Sequence, residues 1–80
     1  MDKENNSNKY LGFIADTFKL IKEDALESKN KLKKERNSFN EGNLLAYYSV
    51  VSILQQQAEA FEIDLKDISL DGIDAEKDLV

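Results

Sequence analysis

Residues 44–61 read LLAYYSVVSILQQQAEAF and carry the clearest structural pattern of the chain. Steps of three and four residues alternate between its main apolar positions, which are Leu44, Tyr47, Val51, Leu54, Ala58 and Phe61. A strand repeats every two residues, so this spacing predicts an α-helix with an apolar seam along one side. A second apolar stripe lies beside the seam and consists of Ala46, Val50, Ile53 and Ala60. Together the two stripes cover roughly 220° of the helix circumference.

An earlier helix is indicated by a similar seam at Leu11, Ile14, Phe18, Ile21, Ala25 and Leu32. Phe13 and Leu20 are seven residues apart and lie on another side of that helix. The chain contains no proline and only three glycines, which favours long uninterrupted helices. We therefore predict a frayed tail at residues 1–6, a first helix at 7–37 and a second helix at 38–62.

The junction between the two helices carries capping signals. Ser38 and Glu41 match the S-x-x-E capping box, in which each side chain accepts a backbone N–H at the start of a helix. Asn37 is a residue type that can adopt the left-handed conformation that closes a helix. We predict that the first helix closes at Asn37 and that Ser38 caps the second. A looser loop that reaches Asn43, with Gly42 inside it, is the alternative.

Residues 63–80 form an acidic tail for which we predict short helical turns. Asp64 and Asp74 are typical N-cap residues, and the pair Asp71-Gly72 is a turn signal. Large apolar residues recur through the tail, so part of it is expected to pack. Eight acids and two lysines lie within residues 59–80. We place this acidic charge at the end of the hairpin opposite the basic run at 29–36.

The short connection makes the two helices antiparallel neighbours. One neighbouring helix cannot cover an apolar arc of roughly 220°. We therefore predict an all-α, antiparallel two-helix hairpin that pairs with a second copy into a dimeric four-helix bundle. The predicted dimer interface consists of Phe13, Leu20, Tyr47, Val50, Ile53, Leu54 and Phe61. The alternative is that the tail folds back and covers the second stripe within one chain.

The composition excludes several kinds of chemistry. Histidine and cysteine are absent, so the chain lacks the commonest general base and the thiolate ligands of zinc. The sequence contains no phosphate-binding glycine loop and no set of Ser, His and Asp residues. We therefore predict no enzymatic activity, no cofactor and no metal site. The function that we predict is that of a small non-catalytic protein that homodimerises and acts as a regulatory or protein–protein interaction module, with an unidentified protein as its partner.

Charge and hydropathy set the expected environment. The chain begins with polar and acidic residues rather than a signal peptide, and its longest apolar run, residues 44–48, is far short of the roughly 20 residues that cross a bilayer. Sixteen acids and 11 bases give a net charge of −5, which disfavours binding to nucleic acids and anionic membranes. We predict a cytoplasmic protein with no membrane partner.

Two alternative functions have a local sequence signal. Asp67, Ser69, Asp71 and Asp78, with Gly72, resemble the spacing of an EF-hand calcium loop, although the final ligand is Asp rather than Glu. This resemblance implies a calcium-linked regulator that uses the acidic loop at 67–78. The basic run at 29–36 holds five cations that could contact phosphates, which would suit a nucleic-acid accessory protein. That run contains no aromatic residue and no motif that reads nucleic acids.

Overall fold

The computed structural model describes the backbone of residues 3–80 and the side chains from Asn8 onward. It contains two long helices, α1 (Lys3–Lys34) and α2 (Ser38–Ala60), followed by a 3-10 turn (Leu65–Ile68) and a short helix, α3 (Ala75–Asp78). No strand occurs within residues 3–80, and α1 and α2 pack against each other. The prediction of an all-α helical hairpin is therefore confirmed. In the same range, neither long helix has an apolar stretch of the length that a membrane crossing requires.

The boundaries of the long helices differ from the prediction. α1 begins at Lys3, so residues 3–6 are helical rather than frayed, and residues 1–2 lie outside the described residues. α1 ends at Lys34 instead of residue 37, and α2 ends at Ala60 instead of residue 62. Both C-terminal ends are set by capping hydrogen bonds, which the sequence periodicity does not reveal.

Two asparagines close the connection between the helices. Asn37 is the N-cap of α2, and its side-chain oxygen accepts a hydrogen bond from the Asn40 backbone N–H at 2.8 Å. The Asn40 side-chain amide donates in turn to the backbone carbonyl of Glu35 at 2.8 Å, just beyond the end of α1. The predicted cap was therefore wrong by one residue, because Asn37 rather than Ser38 caps α2. Asn37 is also extended, at φ −141°, and not left-handed.

The C-terminal end of α2 is a Schellman motif. Glu62 is left-handed at φ 57°, and its N–H donates to the Glu59 carbonyl at 3.0 Å. The Ile63 N–H donates to the Ala58 carbonyl at 2.8 Å. These two bonds satisfy carbonyls that a helix end leaves without partners. They also turn the chain sharply, so that the tail, residues 63–80, runs back along the hairpin.

The tail lies over the groove between α1 and α2. We call the end of the hairpin at the α1–α2 connection the hinge end and the other end the distal end. The tail starts at the distal end and finishes near the hinge end. Lys22 donates to the Asp71 carbonyl at 2.9 Å midway, and Lys29 donates to the carbonyl oxygen of Val80 near the hinge. The prediction that the acidic tail stays at the end opposite the basic run was therefore wrong for its second half. Only residues 59–67 lie at the distal end.

The buried apolar side chains form two clusters beneath the tail. The hinge-end cluster consists of Ala25, Leu32, Leu44, Val51, Ile73, Ala75 and Leu79. The distal cluster consists of Ala58, Ile68 and Leu70, with Ile14, Phe18, Leu54 and Leu65 packed against it. Five of the ten buried apolar residues in the described part come from the tail, so the tail completes the core. Burial of a side chain such as Leu70 or Leu79 contributes about 1.5–3 kcal/mol.

The hinge geometry gives a test of the capping assignment. Replacing Asn37 with Ala removes the acceptor of the Asn40 N–H, so we expect Asn37→Ala to lower the free energy of unfolding by about 1 kcal/mol. Ser38→Ala is the matched control, and we expect it to change the free energy of unfolding by less than about 0.5 kcal/mol. Urea denaturation followed by circular dichroism measures both variants. The reverse order of effects would restore Ser38 as the cap.

Candidate interaction surface

The face of the hairpin opposite the tail carries exposed apolar side chains. On α2, Tyr48 and Gln55 contact the tail, whereas Val50 and Ile53 lie about 140–200° around the helix from them, at 100° per residue. On α1 the same relation holds between the tail-binding lysines 22 and 29 and the exposed Phe13 and Leu20. The apolar residues of both helices therefore share one side of the molecule, which we call the open face. Its members are Phe13, Leu20, Phe39, Ala46, Val50, Ile53 and Phe61.

Residues of the open face are exposed, although a residue next to them in the sequence is fully buried. Val51 has no exposed surface, while the adjacent Val50 is 42 % exposed. Ile53 is 59 % exposed and Phe13 is 70 % exposed. The alternative prediction, in which the tail covers the second stripe, was therefore wrong, because the tail covers the seam side of α2 instead. In a single chain, the second stripe has no cover.

Five of the seven residues predicted for an interface, Phe13, Leu20, Val50, Ile53 and Phe61, lie on the exposed surface. The other two, Tyr47 and Leu54, are half-buried and pack against the hinge-end and distal clusters. Phe39 is 79 % exposed and was not predicted as an interface residue. It lies seven residues before Ala46, so extending the second stripe backwards by one heptad would have found it.

The size of the open face suits a protein interface. From Phe39 to Phe61 the stripe is about 33 Å long at 1.5 Å per residue, and two helices side by side are about 20 Å wide. The product is roughly 650 Å², which approaches the area of about 800 Å² that each partner buries in a stable complex. Asp24, Glu27 and Lys31 share the α1 half of this footprint, so its apolar part is smaller than the product. Scattered exposed apolar residues are normal on proteins, whereas a continuous apolar stripe such as that on α2 marks a candidate interaction site.

On the opposite side of the molecule, hydrogen bonds hold the tail against α2. The Gln55 side-chain amide donates to the carbonyl of Leu70 at 3.1 Å and to that of Ile73 at 2.9 Å, across the turn in which Gly72 is left-handed at φ 74°. The Tyr48 hydroxyl donates to a carboxylate oxygen of Glu76 at 2.5 Å. This hydrogen bond favours the protonated phenol and is the main reason that the pKa of Tyr48 is raised above its ordinary value of 10.0.

An open cleft of about 560 Å³ separates α2 from the tail on this side. Its lining contains four apolar residues, three carboxylates and three other polar residues, namely Ile63, Leu65, Ile73, Ala75, Glu59, Asp74, Glu76, Ser52, Gln55 and Gln56. The Ser52 hydroxyl is the buried side-chain polar atom of the described part that lacks a hydrogen-bond partner. The lining contains no base that could activate this hydroxyl as a nucleophile by the usual Ser–His route.

Two carboxylates of the acidic tail are helix caps, and one of them, Asp74, lies within the loop at 67–78. Asp64 and Asp74 are the N-caps of the 3-10 turn and of α3, as predicted, and each accepts a backbone N–H at 3.0 Å. The Asp78 carboxylate accepts the Asp74 N–H at 2.8 Å. The structure brings no three acidic side chains of the described residues together in a group that could hold a metal ion.

The basic run at 29–36 is partly engaged within the chain. Lys31 pairs with Glu27 at 3.8 Å, and Arg36 pairs with Glu41 at 3.7 Å. Lys29 donates to the Val80 carbonyl. Both ion pairs are well exposed, so each contributes only about 0–1 kcal/mol. The run therefore places positive charge at the hinge end, part of which is paired within the chain.

Comparison of the chain with protein-family models, with curated proteins and with solved structures finds no match in any of the three. A functional assignment therefore depends on the chain's own surfaces.

The Tyr48–Glu76 contact gives an expected pH dependence. The folded-state pKa of Tyr48 is raised, so its stabilising contribution is complete below the unfolded value of 10.0 and is lost as the pH rises through the raised pKa. We expect the difference in tyrosinate absorbance between the wild type and Tyr48→Phe to titrate above pH 10.0. The amide resonances of α3 should shift over the same pH range in the wild type only. A difference titration centred at or below 10.0 would contradict the contact.

Proposed function

We propose that this protein is a non-catalytic helical module that homodimerises through its open face and acts by binding another protein. The observation that supports the proposal is the exposed apolar stripe on the side opposite the tail, with Val50 and Ile53 near its centre. The dimer would be a four-helix bundle of two hairpins, each carrying its own tail on the outside. Its location in the cytoplasm remains a prediction from the sequence.

A second copy is the partner that the area and the energetics of the open face favour. Six large apolar side chains lie on it, namely Phe13, Leu20, Phe39, Val50, Ile53 and Phe61. In a symmetric dimer each copy contributes the same set. Covering their exposed portions would gain about 1–2 kcal/mol each, or roughly 12–24 kcal/mol for two copies. Association costs about 4–15 kcal/mol in lost translational and rotational freedom, with side-chain ordering in addition, so the gain is of the size that a dimer requires.

The tail side is the surface that remains for another protein once the open faces have paired. Eight acids and two lysines lie within residues 59–80, and neither ion pair of the described part involves one of these acids. The open cleft adds a lining that combines apolar side chains with three carboxylates. These features suit a protein segment that presents basic and aliphatic side chains, and such binding would weaken as the salt concentration rises.

The assembly can be tested with charges placed on the open face. We expect Val50→Asp and Ile53→Asp to convert the dimer to monomers, because each would bury an unpaired carboxylate at the interface. Leu45→Asp is the matched control, since Leu45 is 64 % exposed but lies on the outer edge of α2, away from the open face. Sedimentation equilibrium over a range of protein concentrations measures the mass of each variant.

Because Val50 and Ile53 are already partly exposed, their substitution should leave the fold of the single chain intact, which far-UV circular dichroism checks. A wild-type protein that sediments as a monomer at every concentration would contradict the proposal. Equal dissociation of Leu45→Asp would also contradict it, because the effect would then come from charge alone.

A further inference from the structure

The two ends of the hairpin carry opposite charge. At the hinge end, residues 29–36 contain five cations and one acid. At the distal end, residues 59–67 contain four acids and one lysine. The second half of the tail carries four more acids, Asp71, Asp74, Glu76 and Asp78, towards the hinge and reduces this asymmetry as far as Lys29. The other four cations of the run, Lys31, Lys33, Lys34 and Arg36, follow Lys29 in the chain and lie nearer the connection. Two copies that meet with their hinges at opposite ends therefore place each basic end beside an acidic end.

The stripe on α2 is also symmetric about Val50. Seven residues before Val50 is Asn43, and seven residues after it is Gln57. Phe39 and Phe61 lie 11 residues before and after it. Suppose that two copies of α2 run antiparallel with Val50 at the symmetry axis. Asn43 then lies level with the partner's Gln57, and Phe39 lies level with the partner's Phe61, next to Ala60. Ala46 lies four residues before the axis and the partner's Ile53 three residues after it, so a small residue lies within one residue of the level of a large one.

In this arrangement the side-chain amides of Asn43 and Gln57 are placed to form a hydrogen bond between the two copies. Asn43 is half-buried and uses its side-chain nitrogen to bond Ser28 at 3.3 Å, which leaves its side-chain oxygen as an acceptor. Gln57 is exposed and can donate to such an acceptor. A polar pair within an otherwise apolar seam fixes the register and the orientation of paired helices, because any other register would leave the amides buried without partners.

From these two observations we propose that the partner on the open face is a second copy in the opposite orientation, with α2 lying across the partner's α2 and the symmetry axis near Val50. This inference rests on the proposed homodimer and specifies its geometry. The hinge ends would then lie at the two extremities of the bundle, and both acidic tail faces would point outward on opposite sides.

The competing arrangement has both hinges at the same end. In the hairpin, Asn43 bonds Ser28, so counting along the antiparallel helices places Val50 level with Ile21. With the hinges together, α1 would lie across the partner's α2, and Leu20 would face the partner's Val50. That arrangement brings two basic hinge ends together and two acidic distal ends together, which like-charge repulsion disfavours.

Because the chain contains no cysteine, disulfide cross-linking distinguishes the two arrangements without a background signal. We expect Val50→Cys to form a covalent dimer on mild oxidation, since its two copies meet at the axis within the span of a disulfide. A mixture of Phe39→Cys and Ala60→Cys should cross-link, whereas each of these variants alone should not. A mixture of Leu20→Cys and Val50→Cys should give the Val50 homodimer and, since Leu20 lies one residue from the level of the same axis, a Leu20 homodimer, but no cross-link between Leu20→Cys and Val50→Cys. All four positions are exposed in the single chain, so the variants should fold.

Sedimentation of the reduced variants separates the two ways in which the experiment can fail. A dimer that cross-links through Leu20→Cys and Val50→Cys, or one in which Val50→Cys does not cross-link, overturns the orientation and leaves the homodimer standing. Reduced protein that is monomeric at every concentration, with no cross-linking, overturns the homodimer itself.

Discussion

Each neighbour of a helix can cover only one sector of its circumference, and α2 has apolar side chains on more sectors than its own chain covers. α1 covers the sector that contains Tyr47 and Leu54, and the tail covers the sector near Val51. Val50 and Ile53 lie on the remaining sector and stay exposed. Because burial of large apolar side chains is the main favourable term in folding and association, this uncovered sector is the feature that most needs a partner.

The tail depends on a small number of polar anchors. The Gln55 amide holds two carbonyls across the left-handed turn at Gly72, and Tyr48 holds Glu76. An amide that donates to two carbonyls is satisfied in a half-buried position, whereas a smaller side chain there would leave both carbonyls without this donor. The anchors and the buried Leu70 and Leu79 therefore stabilise the tail together, so its release would open both core clusters at once.

The sequence predicted the helical hairpin because its seams have the helical period over many turns, and it predicted the apolar second stripe for the same reason. The cap was wrong by one residue because Asn37 and Ser38 are both good N-caps, and local preference cannot choose between them. The path of the tail was not predictable from the spacing of its apolar residues, because its turns are short and are fixed by tertiary contacts. Phe39 was missed because it was assigned to the hinge rather than to the stripe.

If a second copy covers the open face in solution, the solvent access of individual methyl groups reveals this cover without any substitution. A soluble paramagnetic reagent broadens the methyl resonances that it can approach. In concentrated protein we expect the methyl groups of Val50 and Ile53 to be protected as well as those of Val51, while those of Leu45 are broadened. Dilution should remove the protection at Val50 and Ile53 alone. Broadening of Val50, Ile53 and Leu45 to the same extent at every concentration would contradict the account.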